Sequence, residues 1–204
     1  MNSPFNYFIK RRIPLLIFVL IIFVFGIGFG AIGVKTVEYS NKQELFNFFN
    51  NFMQGINEIN YNQGTMVSES IRFNLINILV IWLFGMSVIL MPLIPVLLFF
   101  KGFVLSFSVG FLISEYSLKG VLYSLVTIFP QNLLIIPAFI IAGILAIHFC
   151  VRIINFYRKR ERLSIQDFFA YTISMFLLAI MLFMGSLIET YISPYLFKLL
   201  LRFL

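Results

Sequence analysis

The 204-residue chain is 61% hydrophobic and 11% charged, with a mean hydropathy of +1.00. A soluble domain is roughly 45–50% apolar and about 25% charged, so these values exclude a water-soluble globular protein and indicate an all-α integral membrane protein. A net charge of +7 would suggest a nucleic-acid partner in a soluble chain, but most basic residues here cluster beside apolar runs, where they set orientation in a membrane and imply no nucleic acid.

Lys10, Arg11 and Arg12 precede the first apolar run, 13–34, whose 22 residues can cross a bilayer core of about 30 Å. Ala31-Ile32-Gly33 offers a weak cleavage-like pattern. The run nevertheless exceeds the roughly 7–15 residues of a signal-peptide core, so it reads as an uncleaved first helix. Gly26 and Gly30 form a small-residue face for close helix contact. A phosphate-binding loop is excluded there, because no strand precedes these glycines.

In the polar stretch 35–70, Leu45, Phe46, Phe49, Phe52, Met53 and Ile56 recur at helical spacing, with Asn47, Asn50, Asn51 and Gln54 between them. Ser40 and Gln43 fit a capping box. Segment 41–57 is thus expected to be an external amphipathic helix, either a lid on its own chain or a docking surface built on Phe49, Phe52 and Met53.

The second run, 71–91, carries Asn74 and Asn77 on adjacent turns. Pro92 and Pro95 punctuate the turn into the third run, 93–113. Lys101 lies near the middle of that run, where a lysine costs about 2.5–3.5 kcal/mol on insertion scales. It must face the interior, sit at a break beside Gly102, or pair, with Glu189 or Glu115 as candidates. Gly102, Ser106 and Gly110 line one face of the same run.

Region 120–151 is too long for one untilted span and divides at Pro130. The part before it reads as interfacial or re-entrant; 132–150 spans. Pro130 interrupts the backbone beside Gln131 and Asn132, which is tolerated at membrane depth only where protein or trapped water satisfies the freed groups. Ala138, Ala142 and Ala146 form another small-residue face, expected to meet that of the third run in a tight seam. His148 reads as an interfacial residue. The single cysteine, Cys150, reads as a packed thiol and precludes an internal disulfide. The fifth run, 168–188, ends at Glu189. Beyond Pro194, Leu196, Leu199, Leu200 and Phe203 around Lys198 and Arg202 suggest an interfacial tail helix.

Five spans place eight of the fifteen basic residues on one side: Lys10, Arg11, Arg12, Arg152, Arg158, Lys159, Arg160 and Arg162. The N-terminus is therefore expected in the cytoplasm and the C-terminus outside. No nucleophile elbow, HExxH, Walker or paired-carboxylate arrangement occurs, so no catalytic, cofactor-binding or metal residues are assigned. Asn74, Asn77, Lys101, Gln131, Asn132 and Glu189 make up a candidate intramembrane polar site, which structural hydrogen bonding alone could also explain. Such a site with a broken helix at depth would suit a permease-like transport subunit. Absent catalytic motifs, the external amphipathic surface around Leu45–Ile56 and the interfacial tail suit a membrane scaffold, which would meet its partners through small-residue seams and outer loops.

Four segments together resemble the stage II sporulation protein M family: GIGFGAIGV, MPLIPVLLFFKGFVLSFSVGFL, FPQNLLIIPAFIIAGILAI and SLIETYISP. The resemblance runs from about Lys10 to Leu200, and the FPQN–IPAF block is its most specific part. It implies a polytopic protein of the mother-cell engulfing or septal membrane. Such a protein would anchor the wall hydrolases known as stage II sporulation proteins P and D during forespore engulfment. It implies no active-site residues and no cofactor, and its partners would be those hydrolases and membrane lipid, with a homo-oligomer left open.

Overall fold

A computed structural model describes residues 4–37, 42–47, 51, 63–159 and 164–201, with side chains placed over 13–37, 42–47, 51, 67–158 and 164–200. The helices are α1 (Pro4–Thr36), α2 (Gln63–Met86), α3 (Leu93–Tyr116), α4 (Leu118–Thr127), α5 (Phe129–Lys159), α6 (Ile165–Leu187) and α7 (Ser193–Leu201). A π-helical stretch, Ile188–Ile192, joins α6 to α7. No strand occurs among the described residues. Five apolar stretches are long enough to cross a membrane: Ile13–Thr36, Val67–Met86, Leu93–Tyr116, Phe129–Arg158 and Ile165–Leu200. The fold is therefore the expected all-α membrane architecture with five spans.

Helix α5 is the axis of the bundle. It touches α1, α2, α3, α4, α6 and the π-helical stretch. Of its apolar window 56% is buried, against 17–33% in the other four. The sequence explains this position, because Ala138, Ala142 and Ala146 are fully buried and let neighbouring backbones approach. On α2, a Cβ at Gly85 would meet the Tyr171 hydroxyl and Ala146. Tyr171 in turn donates to the Trp82 carbonyl at 3.0 Å and stacks on Phe149 at 4.4 Å between ring centroids. These contacts lock α2, α5 and α6 into one core.

A separate seam joins α1 to α3. A Cβ at Gly26 would collide with the Phe99 carbonyl oxygen, one at Gly30 with the Phe103 carbonyl oxygen, and one at Gly102 with the Phe23 carbonyl oxygen. At Gly110 the nearest atom would be Val34 Cγ2, 3.1 Å away. This corrects one expectation. The small-residue face of α3 closes on α1, while the alanines of α5 serve the core with α2 and α6. Gly26 and Gly30 expose backbone on α1, and the flat face of α3 finds its match there. Opposite Gly143 of α5, α3 instead presents the bulky Leu98 and Ile94.

Pro14 and Pro137 stand inside α1 and α5, but the prolines at the expected breaks open helices rather than interrupt them. Pro95 and Pro130 lie in the first turns of α3 and α5, where a missing N–H costs no internal bond. Between α3 and α4 the chain reverses at Ser117, whose φ of 53° is the one positive value on a non-glycine among the described residues. Gly120 then lies against the Leu112 carbonyl, where any side chain would collide. A second cluster forms at this end: Phe46 stacks on Tyr116, Tyr116 meets Tyr123, and Tyr123 meets the fully buried Phe197 of α7. At the opposite end Arg152 and Asp167 pair at 2.6 Å, and Asp167 completes a capping box with Ser164. Cys150 is buried as expected, its thiol 3.7 Å from the Ser87 carbonyl.

The seam yields a matched pair of variants. Gly26→Ala must push α1 off α3, since the obstacle is backbone, and should destabilise the protein by about 1–3 kcal/mol. Gly28→Ala has open space around it and should be neutral or mildly stabilising. Thermal unfolding in detergent, followed by circular dichroism, separates the two.

Candidate functional site

A cavity of about 470 Å³ lies among α1, α2, α3, α5 and the π-helical stretch. Five of the six residues of the candidate polar site line it: Asn74, Lys101, Gln131, Asn132 and Glu189. The sixth, Asn77, donates to the Phe73 carbonyl of its own helix at 2.8 Å and does not reach the cavity.

Each amide in the site is committed to structure. The nearly buried Asn74 donates to Ser186 on α6 at 2.9 Å, and Ser186 passes a bond to the Leu182 carbonyl at 3.1 Å. Around Ile128, the one non-helical residue between α4 and α5, side chains take up the carbonyls. Gln131 donates to the Thr127 carbonyl at 2.5 Å and Asn132 to the Ile128 carbonyl at 2.7 Å. Ser193, opening α7, donates to the Gln131 side-chain oxygen at 2.8 Å. Gln131 thus ties three elements together at a point where lipid could offer no partner.

Glu189 sits at the start of the π-helical stretch. The wider winding shifts the side chains that follow by one position, a distortion common at functional sites. Glu189 is exposed at the cavity rim and accepts a 2.5 Å hydrogen bond from Ser70 of α2. Glu69 lines the same rim.

Lys101 stands apart from these satisfied groups. Its ammonium lies 4.2 Å from the centroid of the Phe139 ring and 4.8 Å from that of Phe73. Neither Glu189 nor Glu115 forms an ion pair with it, and Arg152–Asp167 is the single ion pair among the described residues. Two cation–π contacts of roughly 0.5–2 kcal/mol each offset much of the cost of the buried charge, but a ring face accepts no N–H bond of ordinary strength. The ammonium shares its cavity with Glu69, Asn74, Ser108, Asn132 and Glu189, yet it makes no ion pair or hydrogen bond among the described residues.

Sequence reasoning missed Glu69, Ser70, Phe73 and Phe139. A usable signal existed, since Glu69 with Phe73 and Ser70 with Asn74 are each four apart and so share a helix face. Phe49, Phe52 and Met53 of the expected docking surface lie outside the described residues. Their neighbour Phe46, at 5.9 Å from Tyr116, packs on the second core. No three His, Cys, Asp or Glu side chains among the described residues come together as a metal centre.

Comparison with known proteins finds one family model, Stage II sporulation protein M, matching residues 19–194. No curated protein and no solved structure matches the chain.

Asn74 and Asn77 provide an internal control for the polar site. Asn74→Ala should cost about 1–2 kcal/mol by breaking the bond to Ser186, whereas Asn77→Ala should change stability by less than about 0.5 kcal/mol. Lys101→Met removes a desolvated charge and should leave the melting temperature unchanged or raise it. Unfolding curves in the same detergent read all three.

Proposed function

The chain belongs to the stage II sporulation protein M family, and from that premise we propose that it is a non-enzymatic membrane scaffold that recruits and holds cell-wall hydrolases during forespore engulfment. The family match over residues 19–194 carries this reading, and it establishes a sporulation-related, multi-pass membrane protein. The family is not a known enzyme family, and the amides of the polar site are taken up in holding helices together. The hydrolases would be stage II sporulation proteins P and D, met in the mother-cell engulfing or septal membrane. In this reading the peptidoglycan chemistry belongs to the partners, and the scaffold supplies position.

The bundle has surface to spare for such contacts. Phe25, Phe29 and Ile32 of α1 and Phe176, Leu177 and Met184 of α6 are all exposed apolar residues suited to lipid or to partner helices. Our proposal puts the N-terminus in the cytoplasm and the C-terminus outside, so the cluster of Phe46, Tyr116, Tyr123 and Phe197 would face the wall. One observation favours a second reading, a permease-like subunit: a cavity at depth holding Lys101 beside the helix break at Ile128.

A mild-detergent pull-down of tagged protein from sporulating cells should recover the wall hydrolases. Recovery of a cytoplasmic ATPase without any hydrolase would overturn the scaffold in favour of transport. A reporter fused after Leu204 should be active only outside the cytoplasm; cytoplasmic activity would overturn the orientation.

A further inference from the structure

We infer that the cleft between α2 and α3 receives a membrane-spanning helix of a partner protein, and that this helix carries a carboxylate at the depth of Lys101. The inference rests on the scaffold reading and gives its partner a chemistry and a place.

Helices α2 and α3 are consecutive and joined by the short turn at 87–92, yet they barely touch. The seam holds α3 on α1, and the core holds α2 on α5 and α6. The gap between them opens sideways, for Phe73 of α2 is 63% exposed and Val104 of α3 is 58% exposed, and both line the cavity. Its back wall is α5, through Asn132, Ile135, Ile136 and Phe139. Acyl chains filling this gap would leave the Lys101 ammonium with two aromatic faces as its only direct contacts of charge.

The occupant is specified by charge. The two carboxylates of the cavity, Glu69 and Glu189, do not close an ion pair with Lys101, for Ser70 holds Glu189 at the rim and the single ion pair among the described residues is Arg152–Asp167. A carboxylate brought from outside the chain would accept the free donors and give the buried ammonium the direct partner that the cavity's own carboxylates do not supply. Glu69 precedes Phe73 by four residues, about 6 Å along α2, so acidic groups lie one turn nearer the start of α2 than the ammonium. The complementary helix therefore has an acidic residue at depth and a basic one about a turn away. This order also disfavours a free anion, which would pass two carboxylates at the rim or an apolar flank.

The test reconstitutes the full-length protein, fluorescently labelled on a C-terminal tag, in phosphatidylethanolamine–phosphatidylglycerol vesicles. The probe is a labelled Leu/Ala membrane-spanning peptide with one central glutamate, and energy transfer reports association. We expect the glutamate peptide to bind about tenfold tighter than its leucine counterpart, the size of one intramembrane polar pair. Lys101→Met should abolish that preference, and Lys101→Glu should transfer it to a peptide with a central lysine. Equal binding of the glutamate and leucine peptides, or no effect of Lys101→Met, overturns the inference. Displacement of the glutamate peptide by millimolar free glutamate or phosphate overturns it too, by showing that the cleft takes a soluble anion. Hydrolase recovery by the unaltered chain is read separately, so the cleft can fail while the scaffold stands.

Discussion

In a bilayer no solvent completes an unmade hydrogen bond, so every polar group in this domain has to find its partner inside the protein. The architecture follows from how that demand is met. Around Ile128 the carbonyls take amides from Gln131 and Asn132, and Ser193 binds Gln131 in return. Across the core Asn74 reaches Ser186, and Tyr171 reaches the Trp82 backbone. Each of these bonds joins elements far apart in sequence or bridges a break. Lys101 is where the demand goes unmet, because its ammonium meets two rings and no acceptor among the described residues.

This contrast divides the molecule into a fixed part and an open part. Glycines let α1 and α3 approach until main-chain atoms nearly touch, and contacts of that kind tolerate no added methyl group. Alanines, stacked rings and buried hydrogen bonds set α2 against α5 and α6. Because α5 touches both groups, it fixes the distance between them and holds the α2–α3 cleft apart. The unpaired charge of Lys101 in that cleft is thus a property of the fold as well as of the residue. For a scaffold this division has a use: rigid packing keeps a docking position in place, and one unmet polar group makes the position selective.

Much of the fold was legible in the sequence. Five apolar runs, the turn near Pro92 and the helix start near Pro130 are written in composition and proline placement. Lys101, Gln131, Asn132 and Glu189 could be singled out because an unexplained polar group in an apolar run is costly. What spacing could not give was partnership. Small-residue faces on three helices can pair in several ways, and the bulk of Leu98 and Ile94 opposite Gly143 decided against the expected alanine seam. Asn77 looked equivalent to Asn74 from spacing alone, yet the two amides separate into a local bond and a cross-helix one. The ring cage was only half foreseeable: Phe73 shares a helix face with Glu69 four residues earlier, whereas nothing local distinguishes Phe139 among 27 phenylalanines.

The cleft exists only if α3 is fixed to α1 and splayed from α2. Pulsed electron paramagnetic resonance measures this directly, with spin labels at Phe29 and Phe100 for the seam and at Ile76 and Val104 for the cleft, in a Cys150→Ala background. In lipid nanodiscs the seam pair should give one narrow distance distribution, and the cleft pair a broader distribution at longer distance. Two equally narrow distributions, with the cleft pair as close as the seam pair, would mean that α2 closes on α3 and would contradict the account.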